Sequence, residues 1–467
     1  VRLAEWLRRR IPEDGALAGA ETRRVLRRSR RLWLAVGPWR QRTMVWVGAV
    51  AVAAAAIAFA VGSERANDFF LQAVHHAWWI PFLVTPVGLA CVVALTRGLF
   101  PGSQGSGIPQ TIAALSLREG ASVRQLLGPR IALGKMMLTL AALASGASVG
   151  REGPTVQVGA SIMHGIGNLA GVGGQMQRHL ILAGGAAGVA AAFNTPLAGI
   201  VFAIEEMSRA FESRASATIL TAVIFAGIAS LAVLGNYTYF GHASASLPWG
   251  DGWIAVLLCG VVGGLAGGLF ARLLIAVTRG LGGGVGSLAR ARPVTFAFLC
   301  GLVLALIGLA SGGTTYGTGY HEARALLEGQ QLPHAYAPLK MVATLVSYAS
   351  GVPGGIFAPS LAAGAGIGSL VAEFAPYAPT AAVILLGMVA YFAGVVQAPI
   401  TAFVIVIELT DSHEMALPLM AAALVGHGAS RLVCRRSLYR TLADDFLARL
   451  HAGRPDSASV PAREPMP

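Results

Sequence analysis

Charge is scarce in this sequence: only 12% of its 467 residues are Asp, Glu, Lys or Arg, and lysine occurs just twice. A soluble domain of this length needs a far more charged exterior, so the scarcity excludes an ordinary water-soluble globule. Cysteine is also sparse. Cys91, Cys259, Cys300 and Cys434 stand far apart with no CxxC or His-rich neighbourhood, which reads as packing thiols and gives no metal site. No cleavage-site pattern precedes Met44, which argues against a cleaved signal peptide. Enzyme signatures are missing too. His413-Glu414 does not continue into HExxH, and 128–135 misses the P-loop spacing and lacks Ser or Thr after its lysine. The one match is Gly146-Ala147-Ser148-Val149-Gly150, a GxSxG string. That elbow needs a strand, turn and helix, whereas here an apolar helical run is expected, so an intramembrane hydrolase is the remote alternative and the chain is read as no enzyme.

What is present is hydrophobic: 55% of the residues, in runs that recur through most of the chain. This defines an all-α polytopic membrane protein. Runs at 44–62, 78–96, 131–149, 254–277, 294–310 and 381–396 approach or exceed the span of a bilayer, whereas 341–349 is too short to cross straight. The mixture predicts tilted and broken helices, tolerated where backbone is buried in protein or lines a polar cavity. The 59 glycines fit close helix packing and irregular ends.

The net charge of +13 collects at the ends. Arginines crowd 1–43, and Arg431, Arg435, Arg436 and Arg440 follow the last apolar run. The positive-inside rule then places both termini in the cytoplasm, most simply at a bacterial inner membrane, with an even number of crossings. Trp6, Leu7, Val25, Leu26 and Leu32 among those first arginines suit an interfacial helix on an anionic membrane surface, with nucleic-acid binding as the weaker reading.

A weak internal repeat organises the remainder. Residues 193–205 resemble 396–408, so that Pro196 and Pro399, and Glu205 and Glu408, both stand 203 residues apart. Gly105-Ser106-Gly107 recurs as Gly317-Thr318-Gly319 after 212 residues, and the turn ending at Pro154 recurs at Pro359 after 205. Two homologous halves follow, 44–248 and 249–440, flanked by the basic segment 1–43 and a short cytoplasmic tail, 441–467. The halves are inverted if each holds an odd number of crossings.

Three glycine-rich turns carry the chemistry: Gly-Ser-Gly-Ile-Pro at 105–109, Gly-Arg-Glu-Gly-Pro at 150–154 and Gly-Gly-Ile-Phe-Ala-Pro at 354–359. In each, glycine removes side-chain bulk and glycine or proline marks a helix start, where free N–H groups and the positive dipole end lie. Three such ends meeting near mid-membrane would solvate an anion without a full cationic charge, weakly enough to release it. Ser106 can add a hydroxyl donor, and Arg151 can bias the entrance toward anions. Glu152, a carboxylate among apolar residues, is a functional candidate on cost alone.

These three motifs, in this order and spacing, resemble the CLC family of chloride channels and chloride/proton antiporters over about 44–439. The resemblance implies two inverted halves of tilted, broken helices in a homodimer with one pore per subunit. It implies chloride as the bound substrate, held by Ser106, the backbone amides of Ile356 and Phe357, and the hydroxyl of Tyr439, with Gly105, Gly107, Arg151, Gly153 and Ala358 supporting the pathway. It makes Glu152 the gating glutamate. Ionised, Glu152 is a tethered anion competing with chloride for the same donors; protonated, it leaves them, which links proton and anion movement in opposite directions. Glu206 matches the family's internal proton glutamate. Glu205 has a repeat partner in Glu408, whereas Glu206 falls opposite Leu409 and Glu152 opposite Phe357. Acids that scaffold symmetry does not require favour coupled exchange over a passive channel of the same fold.

Some positions depart from the family. Many relatives carry Glu after GSGIP, where this chain has Gln110, so pairing of that residue with Lys135 is in question. Lys135 either tunes proton access or pairs an acid; the letters leave both open. Serine rather than proline at 106 favours chloride over nitrate by resemblance, and the short tail leaves no room for nucleotide-binding domains. No cofactor, metal, nucleic acid or nucleotide is expected.

Overall fold

The structure is a computed structural model that describes residues 36–117, 120–208, 213–235, 239–241, 245–280 and 282–452. The proposed interfacial arginine segment, up to residue 35, and the last part of the tail lie outside them. Among the described residues the elements are helical, and strand-like pairing is confined to two isolated bridges, Gly105 with Pro353 and Gly150 with Gly355.

The first half runs α1 (Val36–His76), α2 (Ile80–Gly98), α3 (Ile108–Ser116), α4 (Gly120–Leu127), α5 (Pro129–Ala144), α6 (Glu152–Leu169), α7 (Gly174–Phe193), α8 (Pro196–Phe202, continuing as a π-helical turn Ala203–Ser208) and α9 (Ser213–Leu234). The second runs α10 (Gly252–Arg279), α11 (Gly283–Ala291), α12 (Pro293–Ala310), α13 (Tyr320–Leu327), α14 (Tyr336–Ala349), α15 (Phe357–Ala372), α16 (Thr380–Val396), α17 (Pro399–Thr410), α18 (Ala416–Val433) and α19 (Leu438–Ala452). Helix α1 thus starts inside the segment read as basic and interfacial, and α19 carries helix past residue 440.

Proline opens α5, α8, α12 and α17, where its missing N–H costs nothing. Asn194 and Gln397 close α7 and α16 in the left-handed region, at φ 58° and 61°. Each turns the chain just ahead of one of the repeat prolines, so the repeat seen in the letters is also a repeat of backbone conformation.

Seven helical segments among the described residues are long and apolar enough to cross a membrane. Helix α1, with 41 residues, is about 60 Å long at the usual rise per residue, well beyond the hydrocarbon core. Two of the apolar sequence runs are set into the protein in particular ways. The run 131–149 is not one helix: α5 stops at Ala144, and residues 145–150 form the turn into α6. The run 381–396 forms α16, but every residue from Ala382 to Val396 is buried. Its counterpart α7 is likewise buried from His179 to Phe193. Hydrophobicity on all sides marks burial without saying whether lipid or protein covers it, and here protein covers both.

Glycine sets the packing of these central helices. A β-carbon on Gly184 of α7 would come 2.8 Å from the Gly159 carbonyl carbon of α6, and one on Gly387 of α16 would come 2.6 Å from the Gly364 carbonyl oxygen of α15. Gly159 and Gly364 are repeat positions 205 apart, and Gly184 and Gly387 are 203 apart. Each half therefore crosses its two central helices at backbone contact.

The inversion is written in two carboxylates. Glu205, at the end of α8, accepts the Ile400 and Thr401 N–H groups of α17 at 3.1 and 2.6 Å, and the Thr401 hydroxyl at 2.7 Å. Glu408, near the end of α17, accepts the Leu197 and Ala198 N–H groups of α8 at 3.0 and 2.7 Å. Each helix caps the other's N-terminus with the acid at its own C-terminal end, which only antiparallel neighbours can do. The carboxylates replace the intrahelical partners that a first turn lacks and oppose its dipole.

Two predictions follow from this packing. Glu205→Gln and Glu408→Gln should each lower stability in detergent, by a similar amount of about 1–2 kcal/mol, as read by thermal melting. Gly387→Ala should cost more, about 1–3 kcal/mol, because two backbones must part; an unchanged melting temperature would show that α15 and α16 do not touch there.

Candidate functional site

The three glycine-rich turns are stitched together by main-chain hydrogen bonds. Gly150 and Gly355 exchange N–H and carbonyl at 2.7 Å in both directions, Gly105 donates to Val352 at 3.3 Å, and Gly354 donates to Gly105 at 3.0 Å. The stretch 353–355 lies between the other two turns. Side chains would hold them apart: a β-carbon on Gly153 would meet the Ser106 hydroxyl, its carbonyl at 2.9 Å and Gly355 Cα at 3.3 Å. Gly107 has φ 98° and lies against Gln157 and the Gly153 carbonyl, so a close approach and a left-handed backbone both require glycine there.

The first turns of α3, α6 and α15 open at this junction, with Gly107, Arg151 and Ile356 as their N-caps. The amides of Ile356, Phe357 and Ala358 belong to a first turn that has no intrahelical carbonyl to reach. Ser106, Glu152, Ile356, Phe357 and Tyr439 are each at most 1% exposed. The hydroxyls of Ser106 and Tyr439 face one another, and neither completes a hydrogen bond among the described residues. Phe357 packs 6.0 Å from the Tyr439 ring, between Phe193, Phe202 and Phe392. The Glu152 carboxylate lies against the Ala358 N–H, the Arg151 N–H and its own, without completing a hydrogen bond to any of them. The residues singled out in the sequence thus share one neighbourhood, drawn from four separate stretches of chain.

Arg151 turns away from it. Its guanidinium donates to the Ala60 carbonyl at 2.7 Å, pairs with Glu64 at 3.2 Å and stacks 5.6 Å over Tyr239. Its hydrogen bonds go to α1, while its charge still acts on the neighbouring Glu152 carboxylate.

Glu206 is buried in the π-helical turn Ala203–Ser208. The wider turn separates it from Glu205: that carboxylate goes to α17, while Glu206 lies within electrostatic reach of Tyr439. Inserted π turns concentrate at functional sites. The residues after Glu206, Met207 and Ser208, line a cavity of about 330 Å³ together with Gln175, Arg178, His179 and Arg440.

The open question over Lys135 has a geometric answer. Its ammonium donates to the carbonyls of Gln104 and Gly105 at 3.2 and 2.8 Å, and it pairs with no carboxylate among the described residues. Gln110 donates to the same Gln104 carbonyl at 2.6 Å and accepts the Gly107 N–H at 3.1 Å. Lysine and glutamine together fold the loop before α3, so no ion pair is needed. The other lysine, Lys340, went unremarked in the sequence. It donates to the carbonyls of Thr315, Tyr316 and Gly317 at 3.0, 3.2 and 2.9 Å. The signal was available, because Lys340 stands 205 residues after Lys135.

The GxSxG string occupies the turn 145–150 rather than a helix. Ser148 is fully buried, and its hydroxyl meets the Thr344 hydroxyl at 3.0 Å rather than a histidine or carboxylate among the described residues. Its N–H is taken by Ser347 at 2.9 Å, so the turn serves to join α5 to α14.

Comparison with known proteins agrees with this architecture. A family model described as voltage gated chloride channel matches residues 87–431. Among solved structures, the chain is similar to a slow cyanobacterial Cl−/H+ antiporter, with 26% identity, 87% of this chain and 98% of that one covered, and a TM-score of 0.74. It shares its fold with a CLC-type fluoride/proton antiporter, at 23% identity, 86% and 97% coverage and a TM-score of 0.73. A eukaryotic CLC transporter has the same fold, at 20% identity, 87% and 74% coverage and a TM-score of 0.70. Matched through most of its length, this chain belongs to the voltage-gated chloride channel family, the CLC proteins.

Proposed function

We propose that this CLC protein exchanges chloride for protons across a membrane, with Glu152 as gate and proton acceptor and Glu206 as the proton-transfer acid on the other side. The observation that carries this reading is the packing of the Glu152 carboxylate against the Ala358 amide, in the first turn that also presents Ile356 and Phe357. A carboxylate and a chloride both need N–H donors, and one such turn cannot serve both at once. Protonation removes the negative charge, weakens the hold of the amides and frees them for chloride. Ser106 and Tyr439 supply two hydroxyl donors to the same ion from the opposite wall.

Glu206 supports coupling rather than passive flow. It is buried, has no counterpart in the second half, and the two residues that follow it, Met207 and Ser208, line a cavity from which a proton has only a short way to travel. Arg440, in the C-terminal helix α19, borders that cavity, and the positive-inside rule assigns this end of the chain to the cytoplasm. Exposed apolar side chains on α8, α9, α17 and α18, among them Leu197, Ile228, Ile400 and Leu424, suit the homodimer that the family resemblance implies.

Flux in proteoliposomes tests the proposal. A chloride gradient imposed on wild type should drive protons uphill. Glu152→Ala and Glu206→Gln should both keep chloride flux while coupled proton movement falls by at least about 100-fold, the usual loss when a proton-transfer group is removed. Downhill chloride with no proton signal in wild type would make the protein a passive channel. Cleavage of a labelled substrate without ion flux would revive the hydrolase reading.

A further inference from the structure

Tyr348 stands near the end of α14, and its ring reaches back to the turn before α3. A β-carbon at Gly105 would lie 3.0 Å from its hydroxyl oxygen and 3.4 Å from Cζ. The hydroxyl faces the backbone N–H of Ser106. Tyr348 also lies within electrostatic reach of Tyr439. One side of Tyr348 therefore belongs to the neighbourhood of Ser106 and Tyr439.

Its other side belongs to a cavity. An open space of about 810 Å³ is bordered by Tyr348 and Gly105 together with Arg97, Arg290 and Arg449. Asp445, the acid on its wall, is held by Arg279 at 3.2 Å, so the three arginines give the space a positive balance that gathers anions. Arg449 acts on Tyr348 directly and is positioned by the Thr278 carbonyl at 3.3 Å. Ser106 and Tyr439 are buried and take no part in the cavity wall. Tyr348 thus stands between the cavity and Ser106, with its ring bordering the one and its hydroxyl facing the other.

We propose that Tyr348 is the gate on the cavity side of the anion path, its ring closing the passage and its hydroxyl oxygen covering the Ser106 N–H that an arriving anion would take. The proposal rests on the exchange reading for what passes the gate. Glu152 guards the donors of α15 with a tethered carboxylate, and Tyr348 guards the donor before α3 with a tethered neutral oxygen. A hydroxyl holds an amide less firmly than a carboxylate does, so this gate yields to the anion itself and needs no proton.

Two variants separate the latch from the ring. Tyr348→Phe keeps the ring and removes the oxygen, and should raise chloride turnover in proteoliposomes by about two- to tenfold, the factor carried by one neutral hydrogen bond, at an unchanged chloride-to-proton ratio. Tyr348→Ala removes the ring as well and should raise both turnover and that ratio, because the path no longer closes on this side while Glu152 is displaced. Wild-type turnover and ratio in both variants, or a fall in turnover at an unchanged ratio, would overturn the gate and leave Tyr348 a packing residue. A second measurement does not depend on transport. Ser106→Cys should react slowly with a water-soluble thiol reagent, followed at residue 106 by mass spectrometry, and several-fold faster when combined with Tyr348→Ala. Equal labelling rates would overturn the gate even if wild type moves chloride. A wild type that moves no chloride, with labelling that still depends on Tyr348, would instead overturn the exchange reading alone.

Discussion

A helix broken inside hydrocarbon leaves backbone N–H and carbonyl groups that neither lipid nor the helix can satisfy, and the central architecture of this protein is an answer to that constraint. Carbonyls at the breaks go to lysine: Lys135 takes those of Gln104 and Gly105, and Lys340 those of Thr315, Tyr316 and Gly317. Gly105, Gly150, Gly354 and Gly355 satisfy much of the rest among themselves. What remains is a set of N–H groups at helix starts, gathered in one place and facing inward. A chain with only two lysines places both on this task, which explains why neither is found on the surface.

Inversion supplies these breaks in pairs. Asn194 and Gln397, Gly159 and Gly364, Glu205 and Glu408, and Lys135 and Lys340 are each one device used twice. Against that background the exceptions stand out. Glu152 falls opposite Phe357, Glu206 opposite Leu409, and Gln110 opposite Glu322 across the 212-residue offset. Phe357 packs among four aromatic rings while Glu152 keeps a buried carboxylate. Symmetry builds the frame, and the broken positions carry the proposed exchange.

Electrostatics follows the same division. The Arg151 guanidinium is anchored on Ala60 and Glu64 while its charge still acts on Glu152, and the arginines of the large cavity stand behind Tyr348. The donors at the centre are amides and hydroxyls. Such donors hold an anion weakly enough for turnover.

Much of this was legible in the letters because it depends on local chemistry. Low charge and long apolar runs defined a membrane protein, glycine beside proline marked the helix starts, and matched offsets exposed the repeat. Other features were not legible, since they depend on which surfaces meet. The apolar run of α16 could not reveal that protein, and not lipid, surrounds it. Arg151 could not reveal which way it points, and Tyr348, in an unremarkable apolar stretch, could not reveal that its hydroxyl reaches Ser106 from more than 200 residues away. Sequence by itself determined the membrane class, the repeat and the identity of the candidate side chains, because composition and backbone breaks are properties of neighbouring residues. Only tertiary structure decided that the three turns converge, that Glu205 and Glu408 bind crosswise and that Tyr348 stands between cavity and site, because those contacts join distant segments whose approach is set by how whole helices pack.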